Sequence, residues 1–301
     1  MKSKAICAVL LISATLAPWI NAQQDDFPVL TGPYLGQKPP DLKPLVFAQD
    51  IIEPNLHGCP VFTPDGMEAY WSTMAGFRMH YSTIVDGVWS VPKEFKFPRE
   101  LNWSDSPILT PDGKRLFFNS RVPRSAGGDP KENIWFMERD GDGWSAPQQL
   151  GEKVNRLRLH WQVSVADNGN LYFSSRSTGN GDIYLSRFVD GEYTEPEVLD
   201  PSIYGETNES EPFIAPDESY LILSRVDNES EIKYADLYIS FKNDAGNWTQ
   251  AVPMKELNEP YVHEIGANVT RDGKYLFFLR NTRDGLSAHW VSSDVIDNYR
   301  P

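Results

Sequence analysis

Three histidines, His57, His160 and His263, are interspersed along the chain with the acids Asp105, Glu209, Glu211 and Glu264, and Trp161 directly follows His160. Imidazole beside carboxylates is the material of general acid–base chemistry and of divalent-metal ligation. His57, His160 and His263 are therefore the metal candidates, with Glu209, Glu211 or Glu264 to complete a zinc or manganese shell. No H-E-x-x-H or other short ligand spacing is present, so a divalent metal is the one cofactor the residues suggest and none is assigned. Two carboxyl groups flanking a sugar could support glycoside hydrolysis, and Glu211 with Glu264 or Asp105 would supply them. Arg121, Arg176, Arg225 and Arg280 add positive charge at recurring positions, with Met74 in the first of those places. Such a set either binds a polar ligand or forms buried, structural ion pairs between neighbouring blades. There is no nucleophile elbow, phosphate-binding loop or dinucleotide fingerprint.

The elements that position these residues repeat. "TPDGMEAYW" (63–71), "TPDGKRLFF" (110–118) and "TRDGKYLFF" (270–278) share one turn-and-strand pattern, with looser copies around Asp167 and Asp217. The Asp residues 65, 112, 167, 217 and 272 recur about every fifty residues, the mark of a repeat architecture. Proline presets such a turn, Asp bonds back to local backbone and Gly takes the positive φ. Short apolar runs precede and follow each turn, a third run comes next, and a "W-S-x-P" type segment follows at 89–92, 144–147 and, degenerate, at 193–196 and 248–251. Each unit therefore reads as four strands, and four-stranded sheets repeated around an axis make a propeller. The fifth unit runs out of chain after three strands. Pro44 and Phe47 keep the spacing of Pro92 and Phe95, so an N-terminal strand supplies the missing one. The prediction is an all-β, five-bladed propeller of four-stranded antiparallel blades, its last blade closed by the N-terminal strand, which also removes exposed edges.

Residues 1–22 read as a signal peptide: Lys2 and Lys4, the apolar run "AVLLISATLA", and "INA" before the cut. Residues 23–40 form an arm, and 41–301 a single propeller domain. The expectation is an exported protein, periplasmic or secreted, without a membrane span after cleavage. Its one remaining cysteine, Cys59, reads as a buried thiol. Formal charge is −14, and losing Lys2 and Lys4 makes it −16, which argues against nucleic acid as a partner. A monomer is expected.

"SPILTPDGKRLFFNS", "VSVADNGNLYFSSR" and "HWVSSDVIDNYRP" resemble the exported, WD-like propellers of the TolB type with Pro-Asp-Gly repeats. The resemblance spans roughly the mature chain and implies bacterial export and a role as an interaction or ligand-binding platform; some relatives are glycan-active enzymes. No catalytic motif of that family maps onto numbered positions here. In an up-and-down blade the connection into the inner strand and the loop after the second strand share one face, opposite the repetitive turns. His57, Asp105, His160, Trp161, Glu209, Glu211, His263, Glu264 and the four arginines all fall on it, with Trp103 beside them. The favoured reading is a non-enzymatic module binding a protein partner or an envelope glycan through this face. The alternative is a polysaccharide lyase or glycoside hydrolase at the same channel mouth, metal-assisted or not.

Overall fold

The computed structural model describes residues 27–301 apart from 54, 98–100, 102, 122–131, 158, 178, 180, 204–207, 227–233 and 283–284, and apart from the side chains of 159–161 and 282. Five antiparallel sheets stand around an axis. Their inner strands are Leu56–Phe62, Asp105–Leu109, Leu159–Val165, Glu209–Ile214 and Glu264–Val269, each packed beside the next, and the fifth returns to the first. The second strands run Glu68–Thr73, Arg115–Ser120, Leu171–Ser175, Tyr220–Val226 and Tyr275–Thr282, and the third strands pair outside them.

The predicted closure is present. Leu45 faces Trp290 and Val46 faces His289, so the N-terminal strand is the outer strand of the fifth sheet. One rung repeats around the whole ring. The amides of Phe47, Phe95, Leu150, Leu199 and Met254 donate to the carbonyls of Ala288, Met79, Ile134, Ile183 and Leu237 at 2.7–2.9 Å. Phe47 is buried, with its ring against Phe62, Phe277 and Trp290. The arm around Leu30–Tyr34 lies across the junction of blades five and one, where Tyr34 inserts between Phe62 and Tyr275.

The turns follow the expected chemistry. Asp65 accepts from Thr63 Oγ1 (2.6 Å) and Met67 N (3.0 Å), and Asp112 and Asp272 repeat the pattern. In blade three the capping side chain is Asn168, which accepts from Asn170 N at 3.0 Å, rather than Asp167. The apolar core lies between the blades, as in Ile108, Phe117 and Val163, where blades two and three meet. Cys59 is buried and free. Among the described residues no helix is long and apolar enough to cross a membrane.

Candidate functional site at the channel mouth

Each inner strand departs from regular pairing within its first few residues. The register shifts lie between Gly58 and Val61, Asp105 and Ile108, His160 and Val163, Ser210 and Phe213, and Ile265 and Asn268. A bulge re-aims side chains and is common beside functional sites. Ser106, Glu211 and Gly266 open three of these bulges with φ of 49°, 51° and 64°. Glycine takes this conformation freely, whereas Ser and Glu are disfavoured there by about 1–2 kcal/mol. Among the described non-glycine residues, Ser106 and Glu211 alone carry positive φ within inner strands.

The bulges bring three polar groups of different blades together at the channel mouth. His57 Nδ1 donates to Asp105 Oδ2 at 2.5 Å, from blade one to blade two. Asp105 is fully buried; its second oxygen accepts from Ser72 Oγ at 2.7 Å, and Ser72 Oγ in turn accepts the Ser106 amide at 3.1 Å. Burial pulls the proton affinity of His57 down, but the hydrogen bond and charge of Asp105 outweigh it, so the imidazole titrates above its ordinary value. Across the mouth, Glu211 is buried and accepts from Ser224 Oγ at 3.1 Å, whose oxygen accepts the Gly266 amide at 3.3 Å. Burial pushes the Glu211 carboxyl up to about 7; the Ser224 hydrogen bond and His57 offset this only in part, and Asp105 adds to it. Ser72 and Ser224 thus play one role in two blades: each joins the acid to the bulged amide of the following inner strand. Repeat position alone, seven residues after the turn Asp, marks both serines in the sequence.

The wall beside His57 is aromatic. Phe77 packs edge-on against the imidazole (5.0 Å) and tilts against Trp103 (5.2 Å), and the Arg121 guanidinium lies 4.5 Å over the Trp103 ring. Arg121 also stands 3.7 Å from Glu132, whose charge helps raise His57. The indole N–H of Trp103 is buried and has no hydrogen-bond partner among the described residues. Deeper in the channel, Gln162 Nε2 donates to Ala267 O at 2.8 Å and so crosses from blade three to blade five.

Two of the remaining nominated acids form ion pairs, and these lie within a blade rather than between blades as expected, because each Arg is the acid's partner across its own ladder. Glu209 pairs with Arg225 (2.9 Å), its partner across the ladder, and Arg225 also reaches Ile203 O. Glu264 pairs likewise with Arg280 (2.9 Å), which further contacts Glu259 and Leu257 O. His263 Nδ1 accepts from the Ala235 amide at 3.0 Å, which fixes the neutral Nε2–H tautomer, and burial lowers its proton affinity. Arg176 is exposed beyond its strand. His160 pairs with Ser174 in the ladder, while the side chains of His160 and Trp161 lie outside the described residues. Among the described residues no three His, Cys, Asp or Glu side chains form a group that could hold a metal ion.

No protein-family description matches the chain, and no curated protein does. Solved structures do match. An endo-arabinase from Bacteroides thetaiotaomicron VPI-5482 aligns with a TM-score of 0.52 at 15% identity, over 79% of this chain and 93% of that one. A putative TolB from Agrobacterium tumefaciens aligns with a TM-score of 0.49 at 13% identity, over 74% and 69% of the two chains. TolB from Acinetobacter baumannii gives 0.44 at 17% identity, over 77% of this chain and 53% of its own length, so the chain spans about half of that protein. At these identities the likeness is one of fold, and the neighbours include TolB-type propellers and an enzyme.

Proposed function

We propose that this is an exported propeller whose channel mouth binds a hydroxyl-rich ligand, an envelope glycan, through His57, Asp105 and Glu211. The observation that supports this best is Glu211 itself. Its carboxyl is buried in a conformationally disfavoured bulge and keeps a proton up to about pH 7, beside a His–Asp pair from two other blades. Strain at such a place points to function rather than stability. A neutral carboxyl can both donate and accept, as can an imidazole, and this matches sugar hydroxyls. The unpartnered Trp103 N–H and the Phe77 ring add a donor and an apolar face for a sugar ring. A protein partner inserting a polar side chain at the same mouth is the other occupant this reading allows. Export rests on the signal-like residues 1–22.

Immobilised glycans presented to the purified protein test the proposal. Wild-type protein should retain a subset, and Asp105→Asn should weaken that binding at least about tenfold, the equivalent of one charge-assisted hydrogen bond. In the same variant, NMR titration should show the His57 pKa falling, because burial is then opposed only by the charges of Glu211 and Glu132. Glycan profiles unchanged by Asp105→Asn, or no glycan retained at all, would reject the site. A second reading, acid–base catalysis on the glycan, is favoured by one feature: Glu211 holds a proton near neutrality while Asp105 orients an imidazole. New reducing or unsaturated ends appearing in the bound glycan would support it, and intact glycan after prolonged incubation would leave binding alone.

A further inference from the structure

The seams between neighbouring blades are built from equivalent positions, yet they are covered in different ways. Between blades one and two, Arg139 bonds both oxygens of Glu68 (2.9 and 3.3 Å) and Trp144 Nε1 donates to Tyr70 Oη (2.9 Å). Between three and four, Glu218 gathers Asn170, Tyr172 and Lys242. Between four and five, the C-terminal turn Ser293–Tyr299 buries Val295 and Ile296 beside Phe241 and Phe278. Between five and one the cover is the chain's own arm. Leu30 O accepts the Trp89 amide (2.9 Å), Gly32 O accepts Trp89 Nε1 (2.7 Å), and Tyr34 stacks edge-on against Tyr275 (5.1 Å).

The seam between blades two and three is bridged, among the described residues, by two exposed ion pairs, Lys153 to Glu192 (3.2 Å) and Arg156 to Glu195, rather than by a buried bond network or an arm. Two cavities of about 480 and 520 Å³ open along it and share Arg115 and Phe188. The positions match those beneath the arm. Phe117 faces Phe136 as Phe277 faces Trp290, and Phe188 faces Tyr193 as Ile84 faces Trp89. Arg115 stands where Tyr275 does, with its guanidinium 5.6 Å from both the Phe136 and Phe188 ring centres. Phe188 lies so close over Gly169 that a Cβ there would meet its ring at 2.9 Å, so the wall is fixed. Gln149 Nε2, in the same groove, is buried with no hydrogen-bond partner among the described residues.

We propose that the seam between blades two and three is a docking groove for an extended peptide of a partner protein, which adds a strand to the Glu192–Tyr193 edge and lays an aromatic side chain against Phe136 beneath Arg115. An extended segment with an aromatic residue, Leu30–Tyr34, already fills the equivalent seam, and its backbone bonds to the residue that Tyr193 replaces. Strand addition supplies backbone bonds, and the pocket supplies selectivity. Gln149 offers a donor to a peptide carbonyl. This groove lies away from the channel mouth and does not depend on the glycan reading.

A fluorescein-labelled peptide with the sequence of residues 27–36 is the probe, titrated with the full chain and followed by anisotropy. Saturable binding is expected, weakened at least tenfold by Phe136→Ala. Arg115→Met, which keeps bulk, should also weaken it, and serves if Phe136→Ala loses its thermal transition. Equal binding by both variants would mean that the peptide exchanges with the chain's own arm, and would overturn the proposal. So would the absence of binding up to about 1 mM, a free energy near −4 kcal/mol. A concentration-dependent dimer abolished by Phe136→Ala would place a second copy in the groove and equally overturn it.

Discussion

Replacing Glu211 by Gln should make the protein more stable at pH 8 and leave its stability unchanged at pH 4. The folded protein holds the Glu211 proton up to about pH 7, whereas the unfolded chain releases it near the ordinary value of 4.5. Between those two values the folded state binds the extra proton, so stability falls as pH rises and then levels off above 7. The loss is of the order of 3 kcal/mol, from about 1.4 kcal/mol per pH unit. Glutamine keeps an acceptor for Ser224 and has no charge to bury, so the variant should escape that loss. His57, raised by Asp105, slopes the same way in both proteins, since its contribution is present below the ordinary histidine value and is lost as pH rises through the folded one. Denaturant unfolding of both proteins from pH 4 to 9 measures the difference. Parallel curves would show that Glu211 is ionised and relaxed, and would remove the main support for the mouth as a site. If the same substitution also ends glycan binding, the disfavoured carboxyl is a functional group held at the expense of stability.

Phe47→Ala should cost about 3–5 kcal/mol, the usual range for removing a buried aromatic side chain. The ring closes the propeller. It contacts Phe62 on blade one and Phe277 and Trp290 on blade five, with ring centres 4.9–5.9 Å away. Its amide also makes the rung that the other blades make with residues local in sequence. The loss therefore falls on the one sheet assembled from both ends of the chain. Unfolding monitored by tryptophan fluorescence should show a lower midpoint, with blade five opening first in hydrogen exchange at Tyr275–Thr282. A cost under about 1 kcal/mol would indicate that the ring is held by the other seams, and that the closing strand is dispensable.

The architecture was legible because its signals are local. Asp65, Asp112 and Asp272 cap their own turns through residues two positions away, and that chemistry leaves a pattern in sequence. The closing strand was legible for the same reason: Pro44 and Phe47 copy the spacing of Pro92 and Phe95, which the shared amide rung explains. Blade three misled only in detail, since Asn168 rather than Asp167 caps a turn that two adjacent polar residues could each have closed.

The face that carries the polar residues was legible, and which of them meet was not. Sequence placed His57, Asp105, Glu209, Glu211 and Glu264 at one end of the ring, because strand direction alone decides that. It could not say that Glu209 turns to Arg225 while Glu211, two residues on, turns to Ser224 and feels the charges of His57 and Asp105 from other blades. In a regular strand those two side chains would share a face. The bulge after Ser210, with Glu211 in the left-handed region, separates them. The His57–Asp105 bond joins residues 48 positions apart on different blades, and its length depends on the angle between sheets. Repeat chemistry thus determined the ring, its closure and the face that carries the polar residues. Only the tertiary structure decided which of them meet, because bulges and blade packing are set by contacts between distant segments that leave no periodic trace.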